Sequence, residues 1–317
     1  MRIFLAGATG AVGRRLVPAL VGAGHEVTGT TRSLSKTREL EGQGARAVVL
    51  DALDAEGVGR AVAQAEPEVV VNQLTDLGAM GANMRRFDSY FATTNRLRTE
   101  GNDHLLSAAR AAGARRLIAQ SFTGWPFARV GGSVKHEDDP LDPSPPPGMR
   151  AVHAAIRHLE EATTGAEDVE GVVLRYGFFY GPGTSLAADP AAGQTAAIHR
   201  RRVPLVGDGG ASWSFTHVDD AAGATLAALE GGGPGLYQAV DDEPALVREW
   251  LPAFAEAVGA PPPRRVPRPV ARVLAGPAAV MMMCEARGAA NHRARTELGW
   301  TPRWPSWREG FARGLGG

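Results

Sequence analysis

The sequence predicts an α/β fold, a doubly wound parallel sheet with a smaller C-terminal lobe. Three observations carry this. The chain opens on an apolar run, Ile3-Phe4-Leu5-Ala6, which breaks into glycines and then into a helical pattern with Leu16, Val17, Leu20 and Val21 on one face. Short apolar runs alternate with helical stretches through the first half, the pattern of parallel βαβ units. Each run ends in a small or polar cluster, and such clusters line the crevice beyond the carboxyl ends of a doubly wound sheet.

The opening segment, Gly7-Ala-Thr-Gly10-Ala-Val-Gly13, has the strand–turn–helix context that a dinucleotide site requires. Gly7 permits the tight turn, Gly10 lets the backbone approach a pyrophosphate, and Gly13 lets the helix pack closely on the strand. The free N–H groups and positive dipole end of that helix then face the phosphates. A second strand over His25–Thr31 ends in Arg32 with no acidic residue between Val27 and Thr37. An acidic residue there would bond the ribose of NAD, whereas an arginine accommodates the 2′-phosphate of NADP, so NADP(H) is favoured over NAD(H).

A third strand, Ala45–Leu50, is followed by Asp51-Ala52-Leu53-Asp54. Asp51 is placed to reach an adenine amino group, and Asp54 fits the N-cap of the next helix. Val69-Val70-Val71 is a β-branched run suited to a strand buried on both faces, and it stops at Asn72-Gln73-Leu74-Thr75. A helical stretch from about Met84 to Ala112 carries Leu105, Leu106, Ala109 and Ala112 as its core stripe. The fifth strand, Leu117-Ile118-Ala119, ends in Gln120-Ser121-Phe122-Thr123. A Pro- and Gly-rich loop, 126–148, precedes a helix over Arg150–Thr164, and a sixth strand over Gly171–Arg175 runs into Tyr176.

The bulk composition narrows the function classes. The 317 residues are 44% apolar, enough for a large core, and 34 basic residues balance 34 acidic ones, so no nucleic-acid-binding field is implied. The single Cys284, after three methionines, excludes an intramolecular disulfide or a cysteine metal cluster and reads as buried. The longest apolar run, Pro269–Cys284, contains Arg272 and is too short to span a bilayer. With charge and strand beginning at once, the expectation is a cytoplasmic protein without membrane association, acting on a small molecule and holding no metal.

The segments GATGAVG (7–13), LRYGFFYGPG (174–183), FTHVDDAA (215–222) and ELGWTP (297–302) occur in order and with ordinary spacing. On these the chain resembles the extended short-chain dehydrogenase/reductase superfamily, of the NAD-dependent epimerase/dehydratase type. The resemblance implies a Rossmann domain over 1–177, with 215–240 also contributing. The substrate lobe would be 178–214 and 241–317. It implies a cofactor site of Gly7, Thr9, Gly10, Ala11, Val12, Gly13, Arg32, Asp51, Ala52, Asn72, Gln73, Leu74, Ser121 and Tyr176. It also allows a homodimer through the long helices.

The family's chemistry needs a tyrosine to move a proton and a lysine one helical turn later to lower its pKa. No tyrosine lies between Phe127 and Arg175, and the one lysine there, Lys135, is in the loop. The pair's positions fall on Pro146/Arg150, Val152/Ile156 or His153/Arg157, depending on register. In the last, His153 would act as acid/base and Arg157 would anchor the ribose; the alternative is an ordinary surface pair. Thr123, or Ser121, can orient a substrate oxygen. Tyr176 and Tyr180 either pack at the strand end or supply a phenol. In sugar-nucleotide relatives an arginine often binds the diphosphate where this chain has Trp213, a residue that lines an apolar pocket. Thr123, Trp125, Phe178, Phe179 and Trp213 therefore suggest a small, fairly apolar carbonyl/alcohol substrate and an NADP-dependent oxidoreductase. The rival readings are a catalytically degenerate NADP(H) sensor and a sugar-nucleotide epimerase or dehydratase.

Overall fold

The computed structural model describes residues 1–77 and 84–316. Seven strands form the main sheet: β1 (Arg2–Ala6), β2 (Glu26–Thr31), β3 (Arg46–Val49), β4 (Val69–Asn72), β5 (Arg116–Phe122), β6 (Glu170–Tyr176) and β7 (Gly235–Ala239). Their order is β7-β6-β5-β4-β1-β2-β3, and each neighbouring pair is parallel. The strand order reverses between β1 and β4, so a crevice opens at their carboxyl ends. There the register sets Ala6 beside Asn72, bringing the glycine turn against the polar end of β4.

Alternation along the strands feeds two helical layers. Ile3 and Leu5 point to one face, under Leu16, Val17 and Leu20 of α1 (Gly13–Gly22) and Ala221 and Ala224 of the helix Val218–Ala227. Phe4 and Ala6 point to the other, under the helices Ala55–Ala65, Asn102–Ala111 and Arg150–Thr164. Val69, Val70 and Val71 are wholly buried between the layers. Asp54 caps the helix Ala55–Ala65, its Oδ1 accepting from the Gly57 N–H at 3.1 Å.

The second core grows from the carboxyl end of β6. Phe178–Tyr180 pairs in parallel with Phe215–His217, and Ser212–Trp213 pairs antiparallel with Ala245–Leu246. Trp213, Phe215, Trp250, Phe254, Trp307 and Phe311 fill this core, together with Phe87, Phe91, Trp125, Val152 and Ile156 from the first half of the chain.

The stretch expected as one helix from Met84 is broken. Met84–Arg86 is a 3₁₀ turn, Phe87–Tyr90 and Ala92–Arg96 are short helices, Leu97–Gly101 is a π-turn, and only Asn102–Ala111 is regular. The physical reason is that the stretch serves two cores. Phe87 and Phe91 stack at 4.6 Å in the aromatic core, while Leu105 and Ala109 face the sheet. One 3.6-residue stripe does not point at both, and the π-turn resets its phase. No helix among the described residues is long and apolar enough to cross a membrane.

Candidate active site

The glycine turn is dictated by close approach. Gly7 has φ +88°, and a Cβ there would lie 2.7 Å from the Gln73 carbonyl oxygen. A Cβ on Gly13 would lie 2.4 Å from the Gly7 oxygen and 2.5 Å from that of Ala8. Gly10 is exposed at the crest of the turn and meets only the Gly7 oxygen, at 3.3 Å. Helix α1 follows with no side-chain cap and no acidic residue in its first turn. A bare helix N-terminus behind a backbone cradle that side chains would fill is a fitting receptor for a dinucleotide's phosphates.

Around it, Thr30 and Thr31 hold the turn to β2. The Thr30 hydroxyl accepts from the Gly7 N–H at 3.2 Å, and the Thr9 hydroxyl donates to that of Thr31 at 3.3 Å. Ala11 lines the turn half-buried and Val12 anchors it from within the core. Arg32 stands exposed just past β2, 3.4 Å from the Asp76 carboxylate. Asp51 is exposed, with Oδ1 accepting from the Leu53 N–H at 3.0 Å, and Ala52 is buried beside it. The buried Asn72 accepts from the Leu74 N–H at 3.1 Å and donates to Asn102 at 3.0 Å. The Gln73 amide donates to the Thr225 hydroxyl at 3.2 Å. Tyr176 shares that threonine at 2.8 Å and donates to the Ala221 carbonyl, and burial pushes its phenol up to about 12. Tyr180 is buried under Phe215, His217 and Phe311, and burial raises its phenol further. Both tyrosines are therefore packed in the interior, and the Tyr176 phenol is spent on Thr225 and Ala221.

Beyond β5 the side chains form an aromatic row. Trp213 stacks on Phe178 at 3.8 Å and donates its indole N–H to the Met282 carbonyl. Phe178 meets Phe122 edge-on at 5.1 Å, Phe122 lies 5.7 Å from Trp125, and Trp125 lies 5.5 Å from both Phe87 and His153. Phe178 and Phe122 are half-buried, so the row presents ring surface. Phe179, also half-buried, turns instead toward Tyr176 at 5.3 Å.

The hydroxyls expected near a substrate are committed elsewhere. Thr123 donates to the Gln238 side chain, whose amide donates to the Lys135 carbonyl at 2.9 Å. Ser121 donates to Glu160 at 2.7 Å. Glu160 also accepts two hydrogen bonds from Arg175, at 2.8 and 2.6 Å, and Arg175 donates a third to the Glu137 carbonyl. This buried cluster locks β5, β6, β7 and the helix Arg150–Thr164 together.

That helix turns Val152, His153, Ala155, Ile156, Leu159, Glu160 and Thr163 inward. His153 and Arg157 are not brought together: the histidine is buried against Trp125 and the arginine is exposed. His153 Nδ1 has no partner among the described residues, and burial pulls its pKa down to about 4. The folded ring is thus neutral where the unfolded one, at 6.5, takes a proton. The stability it supports is full above the unfolded value and is lost as pH falls from 6.5 towards 4. Between about pH 7.5 and pH 5, wild type is expected to lose up to roughly 2 kcal/mol more than His153→Leu in urea unfolding. Parallel losses would assign the acid sensitivity to other groups.

A family model described as the NAD dependent epimerase/dehydratase family matches residues 3–238. The chain belongs to this family. A 3-diazoavenalumate denitrifying reductase from a Streptomyces species is 47% identical over 99% of this chain and 100% of its own. A 2-alkyl-3-oxoalkanoate reductase from Stenotrophomonas maltophilia is 30% identical over 82% of this chain and 77% of its own. Among solved structures, the UDP-glucose 4-epimerase of Thermus thermophilus in complex with NAD superposes with a TM-score of 0.71 at 25% identity, covering 99% of this chain and 98% of that one. The Thermotoga maritima UDP-glucose 4-epimerase with UDP-glucose has the same fold, with a TM-score of 0.75 at 21% identity, covering 99% and 97%.

For this epimerase/dehydratase family member, two groups at the site escaped the sequence reading. One is the Glu160–Arg175 pair, whose signal was a charge on the inward phase of each element. The other is Arg98. It shares the inward phase of Asn102, Leu105, Leu106 and Ala109, and it is 5% exposed with Nη1 unpartnered among the described residues. Its guanidinium carbon lies 5.9 Å from the Phe91 ring, at the end of the aromatic row.

Proposed function

We propose that this chain is a nicotinamide-dependent reductase that replaces a diazo group by hydrogen, releasing dinitrogen, on a flat and largely apolar substrate. The observation that carries the reading is the helix Arg150–Thr164. It contains neither tyrosine nor lysine, and the inward residues at one of the registers for that pair are Val152 and Ile156. Reducing a ketone leaves an alkoxide that needs a proton. Reducing a diazonium group does not: when bound, the reduced nicotinamide supplies a hydride, the carbon gains it, and N₂ leaves with the C–N bonding pair. The charges cancel and no oxygen is protonated. The relative named for denitrifying a diazo compound supports the same chemistry.

In this reading Gly7, Gly10, Gly13 and the N-terminus of α1 hold the pyrophosphate. Phe178, Trp213 and Phe122 supply ring faces for the substrate, and the neutral His153 adds no positive charge to repel a diazonium ion. Arg32 accommodates a 2′-phosphate by leaving Asp76. The test follows NADPH absorbance and gas evolution with an arenediazonium acid, a 3-oxo acid and UDP-glucose, using NADPH deuterated at C4. Enzyme-dependent N₂ release, with deuterium at the former C–N carbon, is expected. Turnover of the 3-oxo acid alone would instead favour carbonyl reduction, with Thr123 or His153 near the oxygen, as the alkanoate reductase suggests. NADPH binding without any turnover would favour a sensor. For the cofactor, Arg32→Asp is expected to weaken NADPH at least about tenfold and NADH little, because a guanidinium–phosphate contact is charge-assisted; equal losses would retire Arg32's role.

A further inference from the structure

A buried guanidinium with an unpartnered nitrogen lies at the end of the aromatic row. Arg98 is buried, yet its Nη1 has no hydrogen-bond partner among the described residues. The opposing charge that bears on it is Glu160. Glu160 is already bidentate with Arg175 and accepts from Ser121 as well. Phe91 offers the guanidinium a ring at 5.9 Å and nothing that accepts a proton. A buried guanidinium nitrogen without an acceptor is expensive even with an opposing charge nearby, and native proteins almost always satisfy it. The backbone that carries Arg98 is the π-turn Leu97–Gly101, a local rearrangement that recurs at functional sites.

We propose that Arg98 receives a carboxylate of the substrate, so that the site selects flat aromatic acids. The ligand class follows from the neighbours. Phe91 and Phe87 stack beside Arg98, and Trp125, Phe122, Phe178 and Trp213 continue the ring surface. An aromatic body along that row with one anionic end matches both features. A planar guanidinium fork fits a carboxylate's two oxygens. A single guanidinium matches a monoanion better than a diphosphate. This assignment rests on the reductase site described above.

The test uses the protein saturated with NADP⁺ and the isosteric pair cinnamate and cinnamamide, followed by calorimetry. Wild type is expected to bind the acid at least about tenfold tighter than the amide, the scale of a charge-assisted hydrogen bond. Arg98→Met is expected to equalise the two, and Arg98→Lys to restore part of the preference. Equal binding of acid and amide by wild type overturns the proposal, a result that needs no variant to fold. So does an Arg98→Met protein that keeps the preference, or one that loses NADP⁺ affinity instead, which would give the charge to the cofactor. The functional reading fails separately. A carboxylate preference lost in Arg98→Met, alongside no N₂ release from a diazonium cinnamate, leaves the anchor standing and removes the diazo chemistry. N₂ release that Arg98→Met leaves unchanged in KM does the reverse.

Discussion

Gly13→Ala is expected to abolish tight dinucleotide binding and to destabilise the protein together. The added methyl would meet the Gly7 oxygen at 2.4 Å, the Ala8 oxygen at 2.5 Å and the Ala8 carbonyl carbon at 2.6 Å. All three are backbone atoms of the turn itself, so no side chain can swing aside. Helix α1 must therefore move outward, and Leu16, Val17 and Leu20, all fully buried, move with it. Overpacking of this kind costs about 1–3 kcal/mol. In the proposed cofactor site, the same displacement carries the helix N-terminus away from the phosphates. Losing two hydrogen bonds to a charged group is worth more than about a 100-fold loss of affinity. NADPH fluorescence titration and urea unfolding read the two effects. Gly10→Ala is the control: its methyl meets only the Gly7 oxygen at 3.3 Å on the exposed crest. It should spare stability and weaken the cofactor alone. A Gly13→Ala protein with wild-type affinity would remove the turn from the binding site.

Glu160→Ala is expected to cost about 3–5 kcal/mol, the range for stranding a buried charge by removing its partner. Three donors lose their acceptor at once: the Ser121 hydroxyl and two guanidinium nitrogens of Arg175. Arg175 keeps only the Glu137 carbonyl at 3.1 Å, and Arg98 loses its opposing charge. The double variant Glu160→Leu/Arg175→Met should recover much of the loss, since removing both charges removes the stranding. Urea midpoints of the single and double variants settle it. A loss under about 1 kcal/mol for Glu160→Ala would mean that water replaces the carboxylate, and the cluster would then be no lock.

Much of this was legible in one dimension because it depends on short-range rules. A turn followed by close helix packing needs glycine at fixed offsets, and Gly7, Gly10 and Gly13 declare it. An unbroken run such as Val69-Val70-Val71 is suited to a strand buried on both faces, and Asp54 three residues before Gly57 reads as a cap. The absence of a tyrosine and a lysine from the helix Arg150–Thr164 is likewise a fact of composition. The break in 84–112 was not legible, because a periodic stripe does not reveal that it serves two cores. The direction of a hydroxyl was not legible either. Thr123 and Ser121 stand at the end of β5 as their positions implied, yet Gln238 and Glu160 claim them from residues far along the chain.

By itself, then, the sequence determined the doubly wound sheet, its glycine turn and the absence of tyrosine and lysine from the helix Arg150–Thr164, since each is written in local spacing and residue type. Only the tertiary structure decided which polar groups are spent on one another and which are left over. It paired Glu160 with Arg175, sent Arg157 to the surface, closed His153 against Trp125 and left Arg98 buried with its Nη1 unpartnered among the described residues. Pairing inside a low-dielectric core is settled by which side chains arrive within about 3 Å of each other, and sequence distance carries no information about that.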